Sequence, residues 1–391
     1  MELAKLKAFR QAVYNRLGAA RDATFELTDA VLLTRNAYSL ADLSLSPVFR
    51  RKWPSIYEAL QDSRPQRNKL MKLYIEQMPS SERPLIAVDH TCWQRPEAVT
   101  LQERTIEHQC TAVPGNRPKV CRHLAVRPIA LCDCEYGCAP FVLKTADIPA
   151  DKLVRLRSNL CLWGAPPPYS GKGRPRIHGN KFQLNDPQTW GEALESLQVD
   201  DPKLGQVQIR LWRGLHFRKA ANHPMLVLRV ERLEPQSSGR VSKPLWLAWL
   251  GEELPPLSDV WRFYLRRFAL DHWYRFAKQR LHWTLPKLST PKQCERSSDL
   301  MPLITWELWL AREIVSDNPL PWHNKSDKLA PGRVAQAFAG VLLAIDTPAS
   351  PPKPRGKSSG WPKGKPRASR PHYPIVKKGF RKGKKRRQKS V

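Results

Sequence analysis

Tyr264, Arg267, Asp271 and Lys278 stand at offsets of three, seven and fourteen residues within the stretch VWRFYLRRFALDHWYRFAKQRL, residues 260–281. At roughly 100° per residue on an α-helix, all four fall within a stripe about 60° wide. A carboxylate flanked by a guanidinium, an ammonium and a phenol suits a metal ion beside a phosphate, the acid holding the cation and the donors holding the anion. The plainer reading is a solvated face laced with ion pairs. Trp261, Leu265, Phe268, Trp273 and Phe276 occupy the other side. Such a surface docks a helix on a core, so one continuous helix with a single chemical edge is expected.

Two further acids end short apolar runs. Pro84-Leu-Ile-Ala-Val-Asp89 and Arg127-Pro-Ile-Ala-Leu-Cys-Asp133 each read as a buried strand that delivers a carboxylate to a sheet edge. Taken singly, either acid could be a turn or cap residue. A third run, Pro244-Leu-Trp-Leu-Ala-Trp-Leu250, leads through Gly251 and Pro255-Pro256 into the helix. Three acids, on two strand ends and one helix, are thus expected to converge.

The pattern Tyr264-x2-Arg267-x3-Asp271-x6-Lys278 resembles the signature helix of bacterial insertion-sequence transposases with a DDE triad, the YREK branch. His90-Thr-Cys-Trp-Gln-Arg-Pro96 after the first acid and Tyr136-Gly137 after the second are similar to the family's other two motifs. The resemblance covers roughly residues 1–345 and is weakest over 108–126. It implies an α/β, ribonuclease-H-like mixed-sheet core with a β-rich insertion, to which spacing and composition add an N-terminal helical region and a disordered basic C-terminal tail. It implies Asp89, Asp133 and Asp271 as catalytic metal ligands for two Mg2+ ions, with Mn2+ as substitute, about 3.5 to 4 Å apart. Tyr264, Arg267 and Lys278 would hold phosphate. Such an enzyme would bind the terminal inverted repeats of its element as a homodimer, hydrolyse the strand at the transposon end and direct the freed 3′ hydroxyl at target duplex DNA.

Two departures stand out. The family usually has Glu where this chain has Asp271, and the shorter side chain sets the carboxylate back by about an ångström, a displacement that can cost catalysis heavily. Only 43 residues separate Asp89 from Asp133. Two further strands and a helix barely fit there, so an internally shortened copy is implied. The alternative is an inactive remnant that only binds DNA.

The remaining segments fit around this frame. Residues 1–80 show helical spacing in Leu3-Leu6-Phe9-Val13-Leu17 and Leu27-Val31-Leu32. Ser39–Pro47 followed by Val48–Leu60, with Arg50, Arg51 and Lys52, is compatible with a helix-turn-helix and equally with a plain bundle. Residues 81–145 would form the first part of the core. Within residues 146–243, a basic loop carrying Lys172, Arg174 and Arg176 among glycines reads as a surface connection or a phosphate-backbone clamp. Strand-like runs follow at Val207–Trp212, Leu215–Arg218 and Met225–Val230. Trp212 is the aromatic candidate there to hold a flipped base, against the commoner role of a strand Trp in a core. Residues 244–347 hold the last strand, the signature helix and the closing helices.

Formal net charge is +31, so the partner is a polyanion. Sixteen Lys or Arg and no acid lie in residues 348–391, which reads as a disordered tail able to bind nucleic acid without sequence preference. An RNA-associated structural protein is a rival, though no RNA-module aromatic signature is present. The start lacks an apolar leader and Val334–Ile345 is too short to span a bilayer, so a cytoplasmic protein without membrane association is expected. Its eight cysteines then read as reduced thiols. Cys121, His123, Cys132, Cys134 and Cys138 lack the spacing of a structural zinc site.

Overall fold

A computed structural model describes residues 2–79, 83–89, 93, 98–101, 126–234, 242–319, 321–322, 324–325, 328–354 and 360–375. The chain divides into two compact units, one of residues 1–77, 92–109 and 275–391, the other of residues 78–91 and 110–274.

The first unit is helical. Its N-terminal part holds α1 (Glu2–Tyr14), α2 (Arg21–Leu33), α3 (Pro54–Asp62) and α4 (Arg67–Glu76). A 3-10 turn over Leu40–Leu45 precedes α3, opened by Ser39 and Asp42 in a reciprocal capping box. Of the apolar spacing read from the sequence, Leu6, Phe9, Val13, Leu17, Leu27, Val31 and Leu32 are buried, whereas Leu3 at the start of α1 is exposed. Arg10 on α1 is buried with them. It donates both terminal guanidinium nitrogens, Nη1 and Nη2, to Asp29 of α2 at 2.9 Å, and Nη1 also to Glu307 at 2.7 Å. Arg50 and Arg51, read above as part of a basic run, instead pair with Glu26 and donate to the carbonyls of Ala349 and Ser350. The chain at 349–350 is therefore docked, and Ala349 is buried. Among the described tail residues beyond it, none is in a helix or strand.

The second unit is built on a seven-stranded sheet. In chain order the second unit contains β1 (Leu85–Val88), β2 (Ile129–Cys132), α5 (Ala139–Lys144), β3 (Asp151–Leu156), β4 (Cys161–Trp163), β5 (Lys181–Gln183), β6 (Glu195–Asp201), β7 (Gly205–Leu215), β8 (Met225–Arg232) and β9 (Leu245–Leu250). The spatial order is β1-β2-β3-β9-β8-β7-β6. The first three strands are mutually parallel, and every later pairing in the sheet is antiparallel. This is a mixed α/β architecture consistent with a ribonuclease-H-like core. The strands of the β-rich insertion do not form a module of their own, since β6, β7 and β8 extend the main sheet and only β4 and β5 pair apart from it. Leu215–Arg218 is likewise no separate strand: Leu215 ends β7, and His216 makes an isolated bridge to Trp163. The interval expected to hold two more strands and a helix lies mostly outside the described residues.

β9 shows why its run, Leu-Trp-Leu-Ala-Trp-Leu, is apolar throughout. Leu247 and Trp249 face a core that includes α6 (Leu257–Arg266), whereas Trp246 and Ala248 face the opposite core around Phe182 and Trp212. Both faces of a central strand are covered, so neither can be polar.

The expected single helix over 260–281 is two helices, α6 and α7 (Phe268–Gln279). Arg267 N–H bonds to Tyr264 O, and Leu270 N–H to Arg267 O, both over three residues, so the helix tightens locally. The apolar face also fades past this point: Trp261 is buried, whereas Phe268 is 45 % exposed. Two closing helices follow, α8 (Pro291–Ala311) and α9 (Pro331–Ile345). No described helix is long and apolar enough to cross a membrane.

Candidate active site

Parallel register brings the first two acids together. Leu85 pairs with Ile129 and Val88 with Cys132, so Asp89 and Asp133 are the next matched positions at the carboxyl ends of neighbouring strands. Adjacent strands lie about 4.8 Å apart, close enough for the two carboxylates to serve one site. Asp133 Oδ1 accepts the N–H of Cys134 at 2.6 Å and caps the 3-10 turn Cys134–Tyr136. The cap role that the sequence left open for this acid is therefore met, and the cap orients the carboxylate.

The helix pair supplies the rest. Val260, Trp261 and Tyr264 pack on Ile129, Leu131 and Leu153, which seats α6 on one sheet face with its C-terminal end at the acids. Tyr264 Oη lies 3.4 Å from Asp133 Oδ1. Arg267, only 4 % exposed, donates Nη1 to Asp89 Oδ2 at 2.8 Å and holds Nη2 3.7 Å from Asp271 Oδ2. One guanidinium thus spans the first and third acids. Burial pulls the Arg267 pKa down, but Tyr264, Asp133 and Asp271 outweigh it and leave it raised. Burial, reinforced by Asp133, also raises the Tyr264 phenol. Both groups remain proton donors at neutral pH.

Tyr274 joins them and was not singled out from the sequence. Its Oη donates to the Asp89 carbonyl at 3.1 Å, and burial, then Asp89 and Asp271, push its pKa up to about 12. A signal existed: Tyr274 lies three residues after Asp271, at the edge of the same stripe. Lys278, the last member of the stripe, lies past the division between the units.

The other candidates fall elsewhere. Lys172, Arg174 and Arg176 lie in an exposed loop between β4 and β5, where Gly171 and Gly173 take φ of 80° and 76°, values that favour glycine. The assignment of Trp212 to a flipped base is corrected. Trp212 is 6 % exposed, its indole N–H donates to Gly191 O at 2.9 Å, and its ring packs against Phe182, Trp190 and Trp246. Alternation along β7 turns it into the core, and its one polar atom is already satisfied. Of the cysteine and histidine group, Cys132 is fully buried, which raises its thiol to about 12 and unsuits it as a thiolate ligand. Cys121 and His123 lie outside the described residues.

Among the described residues, no three His, Cys, Asp or Glu side chains are gathered closely enough to enclose a metal ion as they stand. The donor chemistry nevertheless fits a hard divalent cation, because Asp89 and Asp133 present carboxylate oxygens at matched strand ends. Arg267 holds one of those oxygens.

The family model described as DDE superfamily endonuclease matches residues 118–216. That span contains Asp133 and runs from β2 to β7; Asp89 and Asp271 lie outside it. No curated protein matches the chain. The match and the mixed sheet support a DDE-type nuclease or transposase, a superfamily whose members generally use divalent metal ions.

Proposed function

We propose that this chain is a DNA transposase of the YREK type, acting on the terminal inverted repeats of its own element as a homodimer on duplex DNA. The observation that carries the reading is the cluster itself: Asp89 and Asp133 at register-matched strand ends, with Arg267 joining Asp89 to Asp271. The three acids would hold Mg2+ or Mn2+, which when bound polarises the phosphodiester and acidifies the attacking water or hydroxyl. The protein's own groups do the rest. Arg267 is permanently charged, and shifting it from Asp89 to a phosphate oxygen would neutralise the anion and free the carboxylate together. Tyr264 and Tyr274 keep their protons and can donate to phosphate oxygens. Lys278 would take a neighbouring phosphate. Water and then the freed 3′ hydroxyl would be the successive nucleophiles, and the basic 172–176 loop would follow the DNA backbone.

The test is cleavage of a duplex carrying the DNA that flanks the gene, with Mg2+ or Mn2+. Wild-type protein should nick at the element ends and Asp89→Asn should not; equal cutting by both would sink the triad assignment. A second reading, a remnant that binds DNA without cutting it, is favoured by Asp271, which is 48 % exposed and stops 3.7 Å short of Arg267. Binding of the same duplex without nicking by wild-type protein would select it.

A further inference from the structure

A cleft of about 1130 Å³ opens in the helical unit, well away in sequence from the acids, where the chain leaving α3 and the first turn of α4 face the first turn of α8. Its walls carry Arg64, Arg67, Lys69, Lys292 and Arg296 against a single acid, Glu295. Some of this charge has a structural use. Arg67 pairs with Glu295 and Asp299, and Arg64 and Arg296 donate to carbonyls at the end of α3, including that of Gln61. Lys69 and Lys292 are exposed and sit in the first turns of α4 and α8.

That placement is adverse to folding. The N-terminal end of a helix is its positive pole and prefers acids to bases. Neither helix has an acid in its first turn. The cations also crowd one another: burial and then Arg64 and Arg67 depress the Arg296 pKa, while Asp62 and Asp299 only partly offset them. A surface that concentrates like charge at the cost of stability is suited to a polyanion that neutralises it, the pattern by which function departs from the best local choice.

We infer that this cleft is a second DNA-contacting surface, which binds the phosphate backbone of duplex DNA through Lys69 and Lys292, with Arg64 and Arg296 beneath them. The choice of duplex DNA rests on the reading of the chain as a transposase; the cleft itself is separate from the acids. With its contacts to the backbone and none assigned to bases, it contributes affinity and no sequence preference.

The test uses the full chain without metal and a fluorescent duplex of about 30 base pairs, with affinity measured from about 50 to 200 mM salt. The slope of log affinity against log salt falls by about 0.9 for every phosphate that the protein ceases to neutralise. Lys69→Gln with Lys292→Gln should therefore reduce the slope by about 2 and weaken binding at least tenfold at low salt. Lys5→Gln with Lys7→Gln, an equal reduction in charge on the exposed face of α1, should leave the slope unchanged. Equal effects in the two double variants, or none in the first, would overturn the cleft while leaving the transposase reading intact. Failure of wild-type protein to bind any duplex would overturn both. A cleft variant that no longer binds single-stranded RNA but still binds duplex DNA would reassign the surface to RNA and overturn the inference as stated.

Discussion

Asp271→Glu should make this protein a faster nuclease. Asp271 Oδ2 lies 3.7 Å from Arg267 Nη2, whereas a charge-assisted N–H···O bond is about 2.7 to 2.9 Å long. One added methylene extends the side chain by about 1.5 Å along the bond and about an ångström in the direction of the guanidinium. That suffices to close the gap. It would also bring the carboxylate toward the oxygens of Asp89, which the same guanidinium holds. A catalytic group misplaced by about 1 Å costs roughly a hundredfold in rate. The gain should therefore approach that factor, or about 2.7 kcal/mol off the barrier. Asp271 is half exposed, so thermal stability should change by no more than about 0.5 kcal/mol. Single-turnover cleavage of an end-bearing duplex at saturating Mg2+ measures the rate, and a metal-free binding assay measures affinity. A higher rate at unchanged affinity is the pattern of an interaction made in the transition state. A slower Asp271→Glu enzyme would refute the reasoning, because the site would then be built for the shorter acid.

Three further outcomes follow from the packing. Burial, only partly opposed by Arg10 and reinforced by Asp29, pushes the Glu307 pKa up to about 7 from an ordinary 4.5. The native state therefore holds this proton more tightly than the unfolded chain, so the contribution is present below pH 4.5 and is lost as pH rises through about 7. Glu307→Gln, followed by urea unfolding at about pH 4.5 and 7.5, should remove this part of the pH dependence; an unchanged pH slope would contradict it. Trp212→Ala should cost roughly 3 to 5 kcal/mol in the same assay, and a fall in DNA affinity of the folded protein at unchanged stability would return Trp212 to a role in holding a base. Deleting residues 355–391, beyond the docked Ala349 and Ser350, should flatten the salt dependence of DNA binding and keep any preference for the element ends; disappearance of that preference would place recognition in the tail.

The local parts of this site are legible in the order of the amino acids. An apolar run of four residues closed by an acid reads as a strand that ends in a carboxylate, and both β1 and β2 are strands, although only β2 is buried and β1 is half-buried along its length. The spacing of Tyr264, Arg267 and Asp271 puts them on one helical stripe, because side-chain direction follows the period of the backbone. Tyr274 obeys the same rule and could have been found by it. What no local rule contains is register and burial. The parallel match of Val88 with Cys132 sets Asp89 beside Asp133, and it depends on strands far apart in the chain. Whether Trp212 faces DNA or a core depends on which neighbours cover its side of β7, and here Trp190, Phe182 and Trp246 do. The helix break at Arg267 is equally a tertiary matter. Its sequence is helical throughout, and it tightens where a buried guanidinium reaches an acid 178 residues away. Composition alone gives the excess of positive charge; only the fold decides that Arg50 and Arg51 are engaged by Glu26 and the chain at 349–350, while Lys69 and Lys292 are left facing an open cleft. Periodicity is a property of neighbouring residues and survives in the bare chain, whereas pairing, burial and charge compensation join residues that only folding brings within reach.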